Sequence, residues 1–268
     1  FLNPTPSAGG ELIAFSLELL KKADFNGQFA HGSPEHVALL AEVMRQTDLM
    51  RDNASFDEAT VASAWQAVQE ALDSDKHTPP AKNSGSTTHI SVIDEGGLAI
   101  ALTTTPGATG GYLVGDTGMS MNNILGEDDL QANGFHNWTA AQVGQRIPSM
   151  MAPTLACHED GQLIALGSAG SSRLRSAIVQ VVSNLLDWRI PLSVAVNAPR
   201  VHFEGDLLHL EAGYREYAAD ILQMRYTLRR WDVKNLYFGG ANAVHRSDTG
   251  VLMGAADIRR GGTVAIVE

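Results

Sequence analysis

Residues 73–86 (DSDKHTPPAKNSGS) divide the chain. Two adjacent prolines, a glycine and short polar and charged residues cannot sustain a helix or a buried strand, so this stretch reads as an exposed connector. The hydrophobic period changes across it. Upstream, residues 11–22, 35–51 and 57–72 carry apolar side chains at helical spacing, with Ser55 or Asp57 placed to cap the third segment. Downstream, residues 88–94 (THISVID) and 98–105 (LAIALTTT) are β-rich, and Glu95-Gly96-Gly97 between them predicts a hairpin. A glycine-rich stretch at 106–118 is too irregular for a strand core, and residues 122–138 read as an exposed loop. A short strand at 163–168 leads into the strongest helical pattern, residues 172–188. Strands follow at 207–211, 233–238, 243–246 and 251–255, with a helix over 216–231. No internal repeat is visible. Helices, then a hairpin, then mixed elements predict a layered α+β architecture with largely antiparallel strands.

Composition narrows the function classes. The 268 residues are 44% hydrophobic and 18% charged, which excludes a disordered chain or a coiled coil. A net charge of −11 argues against nucleic acid as a partner. No apolar run reaches the roughly 20 residues of a membrane helix, and no signal peptide is visible. The single Cys157 excludes an internal disulfide framework, and no His/Cys cluster or HExxH pattern supports a metal site.

Two places carry chemistry. Gly167-Ser168-Ala169-Gly170-Ser171-Ser172 follows a predicted strand and opens the strongest helix. Backbone N–H groups at such a junction have no intrahelical partners and can face an anion or a developing oxyanion. The turn lacks the lysine of a P-loop and is neither GxGxxG nor GxSxG; tight packing is the ordinary explanation for it. The second place is Ser86-Thr87-Thr88-His89, where the connector meets the hairpin. A threonine hydroxyl is a poor nucleophile unless a base takes its proton, and an N-terminal threonine supplies that base from its own α-amine. This requires the Ser86–Thr87 bond to be cut. Paired threonines at a strand start are otherwise ordinary β-propensity.

The blocks TTHISVID, LAIALTTT, TGMSMNN, RIPSMMAPT, GSAGSSRLRSAIVQVVSNLLD and NAPRVH occur in this order over residues 87–203. Together they resemble the gamma-glutamyltranspeptidase family. The upstream NPTPSAGG and the terminal DIRRGGTVAIVE resemble family blocks as well. The resemblance implies an N-terminal-nucleophile hydrolase with a four-layer αββα sandwich, made as a precursor that cuts itself before a threonine. It divides the chain at the cleavage site, Ser86 and Thr87. Residues 1–86 resemble the end of the large subunit and residues 87–268 the catalytic small subunit, both parts of one intertwined domain. It makes Thr87 the nucleophile and its freed amine the base, with Thr105 supporting that amine. Gly170 and Ser171 would form the oxyanion hole by their N–H groups. Ser149, Asn122, Asn123 and Glu127 would bind the substrate. No cofactor is implied.

The sequence departs from the family pattern at several of these positions. Met150 replaces a second carboxylate-holding serine, Gly107 an asparagine and Ile124 a polar residue, and Gly126-Glu127 stands at an acidic pair. These changes remove side chains that would grip a γ-glutamyl group, while Glu127 remains to take an ammonium. The expected activity is cleavage or transfer of an acyl group from a small amide through an acyl-Thr87 ester. An acylase acting on a non-glutamyl amide, a non-catalytic relative serving as a binding partner, and a phosphate-binding domain built on residues 167–172 are the alternatives. The family is much longer upstream. The missing half, a partner chain or a homo-oligomer is therefore expected to complete the fold.

Overall fold

A computed structural model describes residues 1–4, 7–23, 25, 29–50, 56–73, 86–124, 143–144, 146–147 and 149–267. The elements run α1 (Ala8–Lys21), α2 (Pro34–Leu49), α3 (Glu58–Leu72), β1 (Ser86–Ile93), β2 (Ala99–Gly107), β3 (Thr154–Cys157), β4 (Leu163–Ala169), α4 (Arg173–Leu186), α5 (Leu192–Asn197), β5 (Val201–Glu204), β6 (Leu207–Leu210), α6 (Glu216–Leu222), β7 (Thr227–Arg230), β8 (Gly240–Arg246) and β9 (Leu252–Ala255). The fold is α+β, as expected, and among the described residues only the β6–β7 pairing is parallel.

The helices start where local chemistry lets them. Ser33 Oγ accepts the His36 N–H at 3.2 Å and Pro34 follows it, so α2 begins with one orphan donor satisfied and one removed. Asp57 Oδ1 accepts the Thr60 N–H at 2.8 Å at the head of α3, the cap expected there. Helix α4 is buried over most of its length. One side packs on the sheet ordered β3-β4-β8-β9 and another on α1. Ile13, Leu19, Val43, Ile178, Val181 and Leu166 belong to the core that joins α1, α2, α4 and this sheet.

On the other face of that sheet lies the β1–β2 hairpin, which packs on β4 and β8. Its turn is closed by Asp94, whose Oδ1 accepts the Leu98 N–H at 2.8 Å, with Gly97 at φ +89°. The inward side chains are small or polar: His89, Ser91, Ala101 and Thr103. The outward ones are Ile90, Val92, Ile100 and Leu102, each about half exposed and paired across the strands as Ile90 with Leu102 and Val92 with Ile100. The chain therefore supplies helix, sheet and hairpin layers, and its own described residues leave the outer apolar face of the hairpin bare.

Several elements differ from expectation. The helix predicted over 216–231 ends at Leu222, because Tyr226 turns into the core beside Phe203 and its hydroxyl reaches Glu42 at 2.9 Å. Residues 227–230 then form β7, parallel to β6. The strand predicted over 233–238 is instead a turn of 3-10 helix over Leu236–Phe238, where Asn235 Oδ1 accepts the Tyr237 N–H. Ser86, expected in the connector, already lies in β1. Most of the connector (74–85), and the predicted loop from residue 125 onward with Glu127, lie outside the described residues.

Candidate active site

The hairpin register breaks at one point. Ser86 pairs with Gly107 and Thr88 with Thr104, so Thr87 alone faces Thr105 and Pro106. Proline has no N–H to give to a ladder, and a bulge at its position is the ordinary consequence. The bulge brings two hydroxyls together. Thr87 Oγ1 donates to Thr105 Oγ1 at 3.3 Å, and the Gly107 N–H donates to the same Thr105 oxygen at 3.0 Å. Gly107 has φ +67°, which suits glycine and aims that N–H back at the hydroxyl.

His89, two residues from Thr87, sits on the same strand face. It is almost fully buried, and burial lowers its pKa to about 4. Its Nδ1 is engaged with Thr103 Oγ1 and its Nε2 with Ser91 Oγ, each at 2.8 Å. A neutral ring with both nitrogens occupied is a poor general base at pH 7. Its role here is spacing. A side chain at Gly167 would come within 2.3 Å of the His89 ring, so the imidazole fills the room that glycine leaves on β4.

That contact also sets the direction of the hairpin. Its turn, at Gly97, lies over Leu163 at the start of β4, and His89 lies over Gly167. The Thr87 end therefore points to the end of β4, where Ala169 passes into Gly170 and Ser171. Gly170 has φ +129° and Ser171 has φ +55°. A side chain at Gly170 would approach the Gly239 Cα to 2.9 Å, so only glycine fits. Ser171 in the left-handed region costs of order 1 kcal/mol and is held by the helix start. The Gly170 and Ser171 carbonyls accept the Arg173 and Leu174 N–H groups at 3.1 Å each. Among the described residues, the N–H groups of Gly170 and Ser171 have no acceptor. Two open donors at the positive end of a long helix form a nest for negative charge.

The other predicted residues are placed as follows. Asn123 Oδ1 accepts the Ala108 N–H at 2.8 Å, and its own N–H reaches the Pro106 carbonyl, so it straps the segment just beyond Thr105. Asn122 Oδ1 accepts the Ile124 N–H at 3.2 Å and shapes the same loop. Ser149 Oγ accepts the Met151 N–H at 3.0 Å, while its carbonyl takes the Gly9 N–H and the Ser7 hydroxyl. Ser7 and Gly9 thus hold the Ser149 loop. Met150 is buried against Leu12 and Leu174, the latter in the first turn of α4. The Ser149 loop and the Gly170 turn are therefore built against one helix end.

One contributor was not singled out in the sequence. Arg173, just past the turn, lies 4.0 Å over the Tyr237 ring, donates to Ser172 Oγ at 2.8 Å and pairs with Glu204 at 3.1 Å. The Ser172 hydroxyl donates to Glu204 at 2.9 Å. This clamp fixes the helix start, and an arginine directly after two serines was its only sign. Among the described residues, no three of His, Cys, Asp and Glu come together as a metal site.

The sequence profile described as gamma-glutamyltranspeptidase matches residues 1–267. The glutathione hydrolase proenzyme of Escherichia coli (strain K12) is 29% identical over 287 residues, covering 96% of this chain and 48% of that protein. The acylase ACY 1 proenzyme of Pseudomonas sp. (strain V22) is 32% identical over 280 residues, covering 97% and 48% respectively. Among solved structures, the gamma-glutamyltranspeptidase of Pseudomonas nitroreducens complexed with L-DON aligns with a TM-score of 0.55 at 29% identity, covering 68% of this chain and 100% of that one. The cephalosporin acylase of Bacillus halodurans shares the fold, with a TM-score of 0.74 at 20% identity over 98% of this chain and 50% of its own. The chain spans about half the length of the curated relatives it matches. With a profile match over nearly its whole length and the same layered fold, the chain belongs to the gamma-glutamyltranspeptidase family of N-terminal-nucleophile hydrolases.

Proposed function

We propose that the chain is the catalytic part of a self-processed threonine-nucleophile enzyme that hydrolyses or transfers the acyl group of a small amide. The observation that carries this reading is the Thr87–Thr105 hydroxyl pair at the hairpin bulge, on the end that reaches the Gly170 turn. Cleavage of the Ser86–Thr87 bond frees the Thr87 amine beside the Thr105 hydroxyl. That amine, with a reference pKa of about 7.7–8.0, is partly neutral at pH 7 and takes the Thr87 hydroxyl proton. The Oγ1 attacks the amide carbonyl, and the Gly170 and Ser171 N–H groups hold the oxyanion. The proton passes to the leaving amine, an acyl-Thr87 ester forms, and water or an acceptor amine releases the acyl group. No cofactor takes part.

Asn122, Asn123, Ser149 and Glu127 border the acyl group in this account. Met150 favours the acylase variant. Its thioether is buried against Leu12 and Leu174, so this position offers no hydroxyl to a substrate carboxylate. Residues 1–86 and 87–268 form one intertwined domain, supported by the packing of α1 on α4 and by the Ser7–Ser149 contact. The chain that covers the apolar hairpin face is the upstream half of the same precursor.

The test is amide turnover by the precursor extended through its upstream half. Glutaryl, γ-glutamyl and valeryl p-nitroanilides are followed beside Thr87→Ala. Release of nitroaniline with trapping of an acyl group on Thr87 is the expected result. Turnover that survives Thr87→Ala sinks the mechanism.

A further inference from the structure

We propose, independently of the amide-cleaving function, that a recess remote from the candidate active site binds a small aromatic carboxylate. The recess lies where the turn before α2 meets the turn before α6. His31 marks its place in the fold, because its Nε2 lies 2.8 Å from Asn184 Oδ1 near the end of α4. Asn184 is eleven residues along the helix from Arg173, about 16 Å from the Gly170 turn at roughly 1.5 Å per residue. The walls are locked by the chain's own bonds. On one side the Ser33 N–H donates to the Ala30 carbonyl at 2.9 Å and the Gly32 N–H to His36 Nδ1 at 3.1 Å. Gly32 has φ +74°, and a Cβ there would lie 3.8 Å from the Tyr214 ring, so this turn rests against that ring. On the other side the Tyr214 hydroxyl donates to the Pro199 carbonyl at 3.0 Å. Gly213, at φ +116°, has no room for a side chain, because a Cβ would meet Pro199 Cγ at 2.6 Å. Between these walls is a cavity of about 230 Å³. A cavity of about 150 Å³ admits benzene, so this one holds a benzene ring that carries a carboxylate.

The lining defines the ligand. Tyr214 and Tyr217 give the cavity aromatic surface, with Tyr217 half exposed. Arg215 supplies the charge. It is exposed, and among the described residues its guanidinium has no hydrogen-bond or ion-pair partner. The adjacent acid, Glu216, is engaged by Arg230 at 2.5 Å. Ser33 also lines the cavity and is buried. Its oxygen accepts the His36 N–H, which leaves the hydroxyl proton to donate. The head of α2, a helix of 16 residues, adds positive potential on the same side. A guanidinium fork and a hydroxyl donor beside two tyrosines select a flat apolar body that ends in a carboxylate.

The experiment is a calorimetric titration of the purified precursor, joined to its upstream half, with benzoate. Benzamide and cyclohexanecarboxylate are titrated beside it; the first removes the charge and the second the aromatic ring. Benzoate is expected to bind with a millimolar Kd or tighter, about tenfold or more below that of benzamide and severalfold below that of cyclohexanecarboxylate. Arg215→Gln weakens benzoate about tenfold or more, and Tyr217→Ala about fivefold. Both positions are exposed, so the two variants keep the parent's melting temperature and a loss of binding is not a loss of fold. Arg215→Lys keeps the charge without the fork and falls between the parent and Gln. Absence of benzoate binding to the parent overturns the proposal, as does benzamide binding equally well. Binding that survives Arg215→Gln or Tyr217→Ala unchanged overturns it too. Inorganic phosphate is the last probe, and Arg215-dependent binding tighter than that of benzoate would contradict an aromatic carboxylate as the ligand.

Discussion

At the scale of single residues, the geometry assigns unequal tasks to neighbouring threonines and glycines. Thr105 holds an oxygen between the Thr87 hydroxyl and the Gly107 N–H, so Thr105→Val removes the acceptor while keeping the shape. It is expected to lower kcat about tenfold to a hundredfold, in the range of lost proton-handling contacts, while the melting temperature stays near that of the parent. Gly167→Ala does the opposite: its methyl meets the His89 ring at 2.3 Å. Overpacking of this kind costs about 1–3 kcal/mol, read as a lower denaturation midpoint, and moves the hairpin that carries Thr87. Thr87 and the Gly170 turn drew notice as local signals, a threonine before a hairpin and a glycine before a strong helix, while Thr105 as the partner of Thr87 came only with the family resemblance. His89 and Arg173 were not. Their roles depend on Gly167 and Glu204, and only the folded sheet brings those partners to them.

At the scale of elements, the hairpin was legible and its orientation was not. Alternation alone would turn Ile90, Val92, Ile100 and Leu102 inward. They face outward because the inner side lies directly on Gly167 and Asn242, where only small or polar side chains fit. Strand β6 was read at 207–211, but β7 and α5 escaped prediction for a related reason: elements of four to six residues carry too little period, and buried partners stabilise them. The bare face yields a prediction at this scale. Hydrogen exchange in β1 and β2 is expected to be fast in the 268-residue chain and slow once the upstream half is joined. Ile90→Lys with Leu102→Lys would abolish that protection, and equal exchange in the two proteins would contradict the account.

At the scale of the whole molecule, buried ion pairs and buried histidines set stability. Arg259 is fully enclosed, paired with Glu211 at 2.5 Å and Asp257 at 3.1 Å, and Asp257 also takes Arg200 at 2.7 Å. Removing one member strands the others, at about 3–5 kcal/mol. Arg259→Leu is accordingly expected to lower the denaturation midpoint strongly, where the exposed Arg230→Leu, whose partner is Glu216, has little effect. Burial lowers the pKa of His36 to about 3, with His31 adding to it, and lowers those of His89 and His209 to about 4. Each is depressed below its unfolded value of about 6.5, so the unfolded chain binds more protons in that window. The stability that these histidines contribute is therefore full above pH 6.5 and falls as pH drops toward 4. His89→Gln should flatten the slope of melting temperature against pH over this range.

The central claim is that Thr87 becomes an N-terminal nucleophile, and the mass of the purified precursor with its upstream half tests it most directly. Intact mass and N-terminal sequencing are compared with Thr87→Ala. The account predicts two pieces, the smaller beginning Thr-Thr-His-Ile-Ser, and an uncut Ala variant. A parent that stays whole, or an Ala variant cut at the same bond, would contradict it.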